Sequence, residues 1–272
     1  MIARDEEDRL PGALASAAFA DEIVVVVDAA SADRTEVIAR ASGARVLVRP
    51  FDGFGRQKNA AAEQASNRWI LSLDADEIVS PELAVEIRAR LSERALLGPS
   101  EAPVAYRVPI CLEVLGRTLR FGRDTVVRPL RLYDRERARF GDEPIHEKVI
   151  PRGPVDALDE TILHRSYRDL SHYMAKLDLY TTLAAEAKWA QGKESPRFLG
   201  LRVLWEFFDR TVLRLGFLDG TSGLTFAALS AGSTLLKYLK LRERTFRAAR
   251  GVSASPSAAQ AGARPLGVSA QP

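Results

Sequence analysis

The chain has 272 residues, 46% hydrophobic and 28% charged, enough to bury a sizeable core and incompatible with wholesale disorder, collagen or a bare coiled coil. Its one cysteine, Cys111, allows no internal disulfide and its three histidines make no zinc-finger spacing with it, which fits a reducing compartment. The net charge of +3 divides unevenly: the first 195 residues sum to −4, residues 196–250 to +6 and residues 251–272 to +1, as expected of a water-facing body joined to a segment that meets an anionic surface.

Met1-Ile2-Ala3-Arg4-Asp5-Glu6-Glu7 turns acidic before an apolar leader can form, so a cytoplasmic location is expected. Glu22 to Asp28 holds four consecutive valines and predicts a strand buried on both faces, ending in an aspartate. Asp33 with Glu36 opens a predicted helix that Gly43 stops. Ala44–Val48 reads as a second strand, residues 56–66 as a helix, and Trp69–Leu73 as a third strand running into Asp74-Ala75-Asp76-Glu77. Ser80-Pro81-Glu82 caps a helix to about Glu93. This order predicts an α/β fold with a doubly wound, mostly parallel sheet, whose ligands bind beyond the strands' carboxyl ends, where Asp28 and Asp74 sit.

After the loop at Pro99–Pro103 the pattern changes to strands alone, Val104–Ile110 and Val126–Asp134, a smaller mixed section covering one side of the cleft. From about Leu170 the chain reads as helix. Residues 201–218 form a strongly amphipathic stretch with Arg202, Glu206, Asp209, Arg210 and Arg214 on its polar stripe. The apolar run Leu224–Leu236, stopped by Lys237, is too short to span a bilayer and is expected to lie on one. Residues 251–272, rich in Ala, Ser, Gly and Pro, read as a disordered tail. The resulting division is a nucleotide-sugar-binding half over 1–110, an acceptor half over 111–169, a helical membrane-associating section over 170–250, and the tail.

Asp74-Ala75-Asp76 after an apolar strand places alternate carboxylates where both reach one small hard cation; magnesium or manganese bound to a substrate diphosphate is held this way. The motifs around it carry a resemblance. Asp5-Glu6-Glu7, Ala20 to Asp28, Ser31-Ala32-Asp33-Arg34-Thr35, Gly53 to Asn59 and Trp69 to Glu77 resemble family 2 of the inverting glycosyltransferases, which have the GT-A fold. Pro144-Ile145-His146-Glu147, His164 to Tyr167, Lys176 with Tyr180, Gly216 to Gly220 and Lys237-Tyr238 are similar to the branch containing lipopolysaccharide core β-1,4-glucosyltransferases. The likeness runs from Ala3 to about Arg244.

The resemblance implies that Asp28 bonds the nucleotide base, Asp74 the ribose region and Asp76 a Mg2+ or Mn2+ ion, with Lys58 facing the phosphates and Glu6 and Asp33 completing the nucleotide-sugar site. His146 is expected to complete the metal shell or bind the acceptor, and Glu147 to be the base that deprotonates the acceptor hydroxyl. Arg128 and His164 are assigned to the acceptor. Arg128 and Arg131, three apart on a strand, cannot both face the cleft without a bulge, so one at most touches phosphate. The expected reaction moves a hexose, glucose by the resemblance, from a UDP-sugar to a lipid-linked or lipopolysaccharide-core acceptor at the inner face of the cytoplasmic membrane; no nucleic-acid partner is expected.

Two departures stand out. Only four residues precede the acidic Asp5-Glu6-Glu7 motif, so much of the first strand is missing, and Asp5 replaces the family's asparagine. The loop Asp28-Ala29-Ala30-Ser31-Ala32-Asp33 lacks the family's glycine and with it easy access to positive φ. These departures motivate one competing reading, a non-catalytic membrane-peripheral binding protein on the same fold. A phosphatase with an aspartyl nucleophile is disfavoured because its D-x-D lies on the first strand, and a sugar nucleotidyltransferase because no glycine-rich phosphate loop opens the chain.

Overall fold

The computed structural model describes residues 1–98, 101–114, 116–123, 125–141, 147–167 and 169–250. Two compact units arise from them: Met1–Leu112 with Val126–Arg165, and Glu113–Thr125 with the residues from Ser166 on.

The first unit opens with β1 (Ile2–Ala3), α1 (Leu10–Ser16), β2 (Val24–Asp28), α2 (Thr35–Ala41), β3 (Arg45–Arg49), α3 (Phe54–Gln64) and β4 (Trp69–Leu71), the α/β alternation expected. β2 lies between β1 and β3 and is parallel to both, with Ile2 opposite Val26 and Val24 opposite Arg45. Because successive strand side chains point to opposite faces, Val25 and Val27 pack with Leu10, Leu14 and Ala39, while Val24 and Val26 pack with Ala61 and Ala65 of α3. The sheet is thus wound on both sides. Gly43 ends α2 at φ +81°, its N–H reaching the Arg40 carbonyl at 3.1 Å.

Short as it is, β1 takes a central place. Ile2 pairs with Val26 on one side and bridges to Asp74, also in parallel, on the other. A cavity of about 570 Å³ is lined among others by Met1, Ile2, Val24 and Trp69–Leu73.

The rest of this unit comprises β5 (Glu77–Val79), α4 (Pro81–Arg94), β6 (Ala105–Arg107), β7 (Ile110–Val114) and, beyond the β8 hairpin strand (Arg117–Thr118), β9 (Val126–Val127), β10 (Leu130–Asp134), β11 (Ala138–Phe140), β12 (Val149–Pro151), β13 (Val155–Ala157) and β14 (Ile162–His164). Ser80 caps α4 as its sequence predicts, accepting the Leu83 N–H at 3.1 Å. The two long strands predicted at 104–110 and 126–134 are each cut in two, at Pro109 and Pro129, since proline has no N–H to give a ladder. β10 runs antiparallel to both β4 and β6, so the parallel sheet becomes mixed beyond β4. β14 lies between β5 and β7, antiparallel to the first and parallel to the second. Leu73, Leu83, Ile87, Tyr106, Ile110, Leu132 and Ile162 fill the main core.

In the second unit the end of β7 pairs with β8, and the remainder is helical: α5 (Leu170–Ala190), α6 (Leu199–Phe208), a π-helical turn (Asp209–Leu213), a 3-10 turn (Gly216–Asp219) and α7 (Gly220–Ala249). The amphipathic stretch runs helical from Leu199 to Leu213 and breaks at Gly216–Gly220 as its glycines predict, the chain folding back where a side chain on Gly216 or Gly223 would overlap the carbonyl oxygens of Arg210 or Gly216. One expectation is corrected here: the next helix does not stop at Lys237. Ala227, Ala231, Thr234, Tyr238 and Leu241 recur at helical spacing and are buried, Tyr238 and Leu241 packing with Ala185 and Leu199. Among the described residues no helix is long and apolar enough to cross a membrane. The tail at 251–272 lies outside the described residues.

Candidate active site

The strands β2, β1 and β4 deliver acidic residues at neighbouring carboxyl ends. Asp28 closes β2 and is buried; its carboxylate accepts the Ala30 N–H at 3.0 Å and pairs with Arg4, just past β1, at 3.1 Å. Asp5 follows at φ +53°, a left-handed conformation that aspartate tolerates as asparagine does. From there its N–H reaches Ser31 Oγ at 3.0 Å and its carboxylate takes the Ala32 N–H at 2.8 Å. The glycine-free loop therefore closes without positive φ, stapled by the residue that replaces asparagine. Asp33 accepts from the Glu7 and Thr35 N–H groups and from the hydroxyls of Thr35 and Ser31. Burial raises its pKa, but these bonds outweigh it and hold the carboxyl below its ordinary 3.8.

Asp74-Ala75-Asp76-Glu77 is a tight turn, closed by the Glu77 N–H on the Asp74 carbonyl at 3.1 Å and anchored by the Arg165 N–H on the Asp76 carbonyl at 2.9 Å. It sends the carboxylates to different cations. Asp74 lies 3.1 Å from Lys58 and 3.3 Å from Arg131, and Arg131 also pairs with Glu77 at 2.7 Å. Asp76 lies 3.1 Å from Arg9 and 3.2 Å from His164 Nε2, and Arg9 also meets Glu6 at 3.5 Å. All of these acids are buried. Burial alone raises a carboxyl pKa; at Asp74 it is overcome by Lys58 and Arg131, and at Asp76 by the bond to His164, so both stay ionised below the ordinary range. At Glu77 burial wins over Arg131 and the pKa rises. Burial disfavours the His164 imidazolium, but Asp76 more than compensates and its pKa rises.

Glu147 completes the cluster from the opposite side. Its Oε1 accepts from Lys58 Nζ at 2.9 Å, so one buried ammonium bridges Glu147 and Asp74. Its Oε2 is buried and has no hydrogen-bond partner among the described residues. Gly55, in the first turn of α3, makes this approach possible: a side chain there would overlap the Gly141 carbonyl oxygen, beside Glu147 Cβ.

Of the residues expected from sequence, Glu6, Asp76 and His164 form one group around Arg9 and Asp76, and Asp74 and Glu147 a second around Lys58; the Asp74–Glu77 turn joins the two, and Asp28 sits one strand away beside Arg4. Asp33 is occupied in holding the loop to α2. Arg128 is exposed and outside the cluster, whereas Arg131 is the arginine of the pair that enters it, at a register irregularity between Leu130 and Leu132. His146 lies outside the described residues. Arg4 and Arg9 were not singled out by sequence; the spacing of Arg9, three residues after Glu6, is the signal that would have flagged it.

Among the described residues no group of three or more His, Cys, Asp or Glu side chains is arranged to hold a metal ion. Glu6, Asp28, Asp74, Asp76, Glu77 and Glu147 face Arg4, Arg9, Lys58 and Arg131, and the raised pKa values of Glu77 and His164 carry the cluster toward neutrality. Glu147 Oε2, without a hydrogen-bond partner among the described residues, offers a hard oxygen donor to a cation.

Residues 1–95 match the model of glycosyl transferase family 2. An uncharacterized glycosyltransferase of Rickettsia bellii is 29% identical over 257 residues, covering 89% of this chain and 85% of that protein. The lipopolysaccharide core biosynthesis glycosyltransferase LpsC of Rhizobium meliloti is 29% identical over 236 residues, 80% of this chain and 85% of that protein. Among solved structures, S. aureus TarS 1-349 aligns with a TM-score of 0.38 at 15% identity, over 92% of this chain and 90% of that one, too remote to transfer any site residue.

Proposed function

We propose that the chain, whose residues 1–95 match the model of glycosyl transferase family 2, is a glycosyltransferase that moves a hexose, glucose in our reading, from a UDP-sugar to a lipid-linked or lipopolysaccharide-core acceptor with inversion at the anomeric carbon. The observation that carries this reading is the Glu147 carboxylate. One oxygen is tethered to Lys58, the other is buried with no hydrogen-bond partner among the described residues, and Lys58 joins the carboxylate to the aspartate that opens the D-x-D turn. Such a group is fixed in orientation yet has a lone pair free to take a proton.

In the proposed step an acceptor hydroxyl attacks the anomeric carbon, its proton passes to Glu147, and the bond from that carbon to the diphosphate oxygen breaks. Inversion follows from a single displacement. Asp28 and Asp74 are assigned to the nucleoside end of the donor, with Glu6, Lys58 and Asp33 around it, and His164 to the acceptor side through its hold on Asp76. Arg128, though exposed, stays a candidate for meeting a large acceptor at the rim. Asp76 and His146 are the residues we assign to Mg2+ or Mn2+, which when bound offsets charge on the departing diphosphate. The name of the LpsC relative supports a lipopolysaccharide acceptor, which would place the reaction at the cytoplasmic face of the membrane.

The test is a donor screen read by product mass, with membrane lipid extract as acceptor. A hexose-sized mass gain on lipid with a UDP-sugar and a divalent ion is expected. Phosphate release without transfer would indicate the phosphatase reading, and absence of metal-dependent heat with uridine diphosphate in calorimetry the non-catalytic one.

A further inference from the structure

A helix on the surface of a soluble protein turns its polar side outward. The stretch from Phe198 to Leu218 in the second unit does the reverse. Leu201 and Leu204 are each 66% exposed and Trp205 59%, and Phe208, Val212 and Leu213 continue the exposed row. Three polar side chains of the same stretch, Glu206, Asp209 and Arg210, face inward, while Arg202 and Arg214 are exposed: Arg210 is 12% exposed and pairs with Glu206 at 2.8 Å, and Asp209 is 14% exposed. Arg210 also donates to the Arg123 carbonyl at 2.7 Å. α6 buries only Leu199, and its Trp205 and Phe208 rings lie 5.9 Å apart on the outer side.

A basic loop adjoins this row. The Gly122 N–H reaches the Arg214 carbonyl at 2.8 Å, and the N–H groups of Arg120 and Phe121 reach the Asp219 carboxylate at 3.1 and 2.9 Å. The loop therefore presents Arg117, Arg120, Phe121 and Arg123, all exposed, beside an exposed Arg214. An exposed apolar row of this length marks an interaction surface, and a rim of arginines makes it complementary to a negatively charged partner.

We propose that α6, the π-helical turn and the Arg117–Arg123 loop together dock on an anionic lipid bilayer, with Leu201, Leu204, Trp205 and Phe208 among the acyl chains and the arginines against headgroup phosphates. A helix too short to span the bilayer, apolar on one side and basic at its margin, with tryptophan on the apolar side, suits the interfacial plane. The apolar run Leu224–Leu236, which by sequence is the natural membrane segment, is the less suitable one, because Ala227, Ala231 and Thr234 are buried in its packing. Nothing in this surface depends on the sugar-transfer chemistry, so vesicle binding and transfer fail independently.

The experiment is flotation of the full chain with vesicles of phosphatidylcholine alone and of phosphatidylcholine with phosphatidylglycerol. Binding to the anionic vesicles, weakened by salt and by Arg117→Gln with Arg120→Gln, is expected. Leu204→Asp with Trp205→Asp should lower partitioning about a hundredfold, since two large apolar side chains no longer enter the bilayer. Trp205→Phe keeps an aromatic ring and guards against misfolding: brominated acyl chains should quench the parent fluorescence and quench this variant clearly less. Equal flotation of the double aspartate variant, no binding to either vesicle, or a dimer in solution that this variant dissociates would overturn the proposal.

Discussion

Lys58→Met removes the ammonium that lies 2.9 Å from Glu147 and 3.1 Å from Asp74, in a place where the three side chains are 6–7% exposed. Breaking a buried ion pair from one side costs about 3–5 kcal/mol, because a charge is left in low dielectric without compensation. Asp74 keeps Arg131 at 3.3 Å, so the burden falls on Glu147 and the lower end, about 3 kcal/mol, is expected. Glu147→Gln is a different case. The amide oxygen still accepts from Lys58, and Lys58 keeps Asp74 as its counter-ion, so the loss is about 1 kcal/mol, that of a weakened hydrogen bond. Once Glu147 is neutral, the ammonium matters less, and the double variant should recover about 1–2 kcal/mol relative to the sum of the single losses. Urea unfolding of the four proteins at neutral pH, followed by circular dichroism, measures each step. Equal losses for the two single variants, or strict additivity in the double one, would refute the bridging role of Lys58.

Gly55→Ala should displace the segment that brings Glu147 to Lys58, since its methyl overlaps the Gly141 carbonyl oxygen; turnover should fall at least about tenfold, and unchanged turnover at saturating donor would contradict the assigned approach. Asp76→Ala, or chelation of divalent ions, should abolish transfer measured by product mass, and full activity in a chelator would remove the metal from the proposal. Asp33→Asn should cost about 1 kcal/mol at neutral pH through weaker bonds to the loop. Because the folded pKa of Asp33 is depressed, its stabilisation is present above the ordinary 3.8 and is lost as pH falls through the folded value; denaturant titrations should show the gap to wild type closing in that range, and a gap that widens on acidification would contradict the assignment.

The strand ends were legible because their signals are local. Four consecutive valines can be buried only in a strand covered on both faces, and an aspartate after each apolar run marks the carboxyl edge of a parallel sheet. Ser80-Pro81 and Gly43 likewise fix helix ends through their own backbone chemistry. The prolines at 109 and 129 carry an equally local message, that no ladder passes through them, and the strands are interrupted there. The extension of α7 beyond Lys237 is also written in the sequence, as the spacing Ala227, Ala231, Thr234, Tyr238, Leu241, a periodicity that one lysine does not interrupt.

The pairing of acids with cations was out of reach for a different reason. Lys58 meets Glu147 across 89 positions and Arg131 meets Glu77 across 54, and nothing in strand periodicity says which cation answers which carboxylate. Arg131 rather than Arg128 enters the cluster because of a register irregularity that single-strand parity leaves open. The exposed apolar side of α6 is the same kind of fact: sequence shows an amphipathic pattern, and only packing tells which side chains the protein hides.

The assignment of Glu147 as the proton acceptor is tested most directly by steady-state turnover of Glu147→Gln with donor and acceptor both saturating, alongside calorimetric binding of uridine diphosphate. Turnover lower by about 10² to 10⁴, the range for loss of a general base, with nucleotide binding intact, is the predicted result; turnover near that of the parent protein would contradict it.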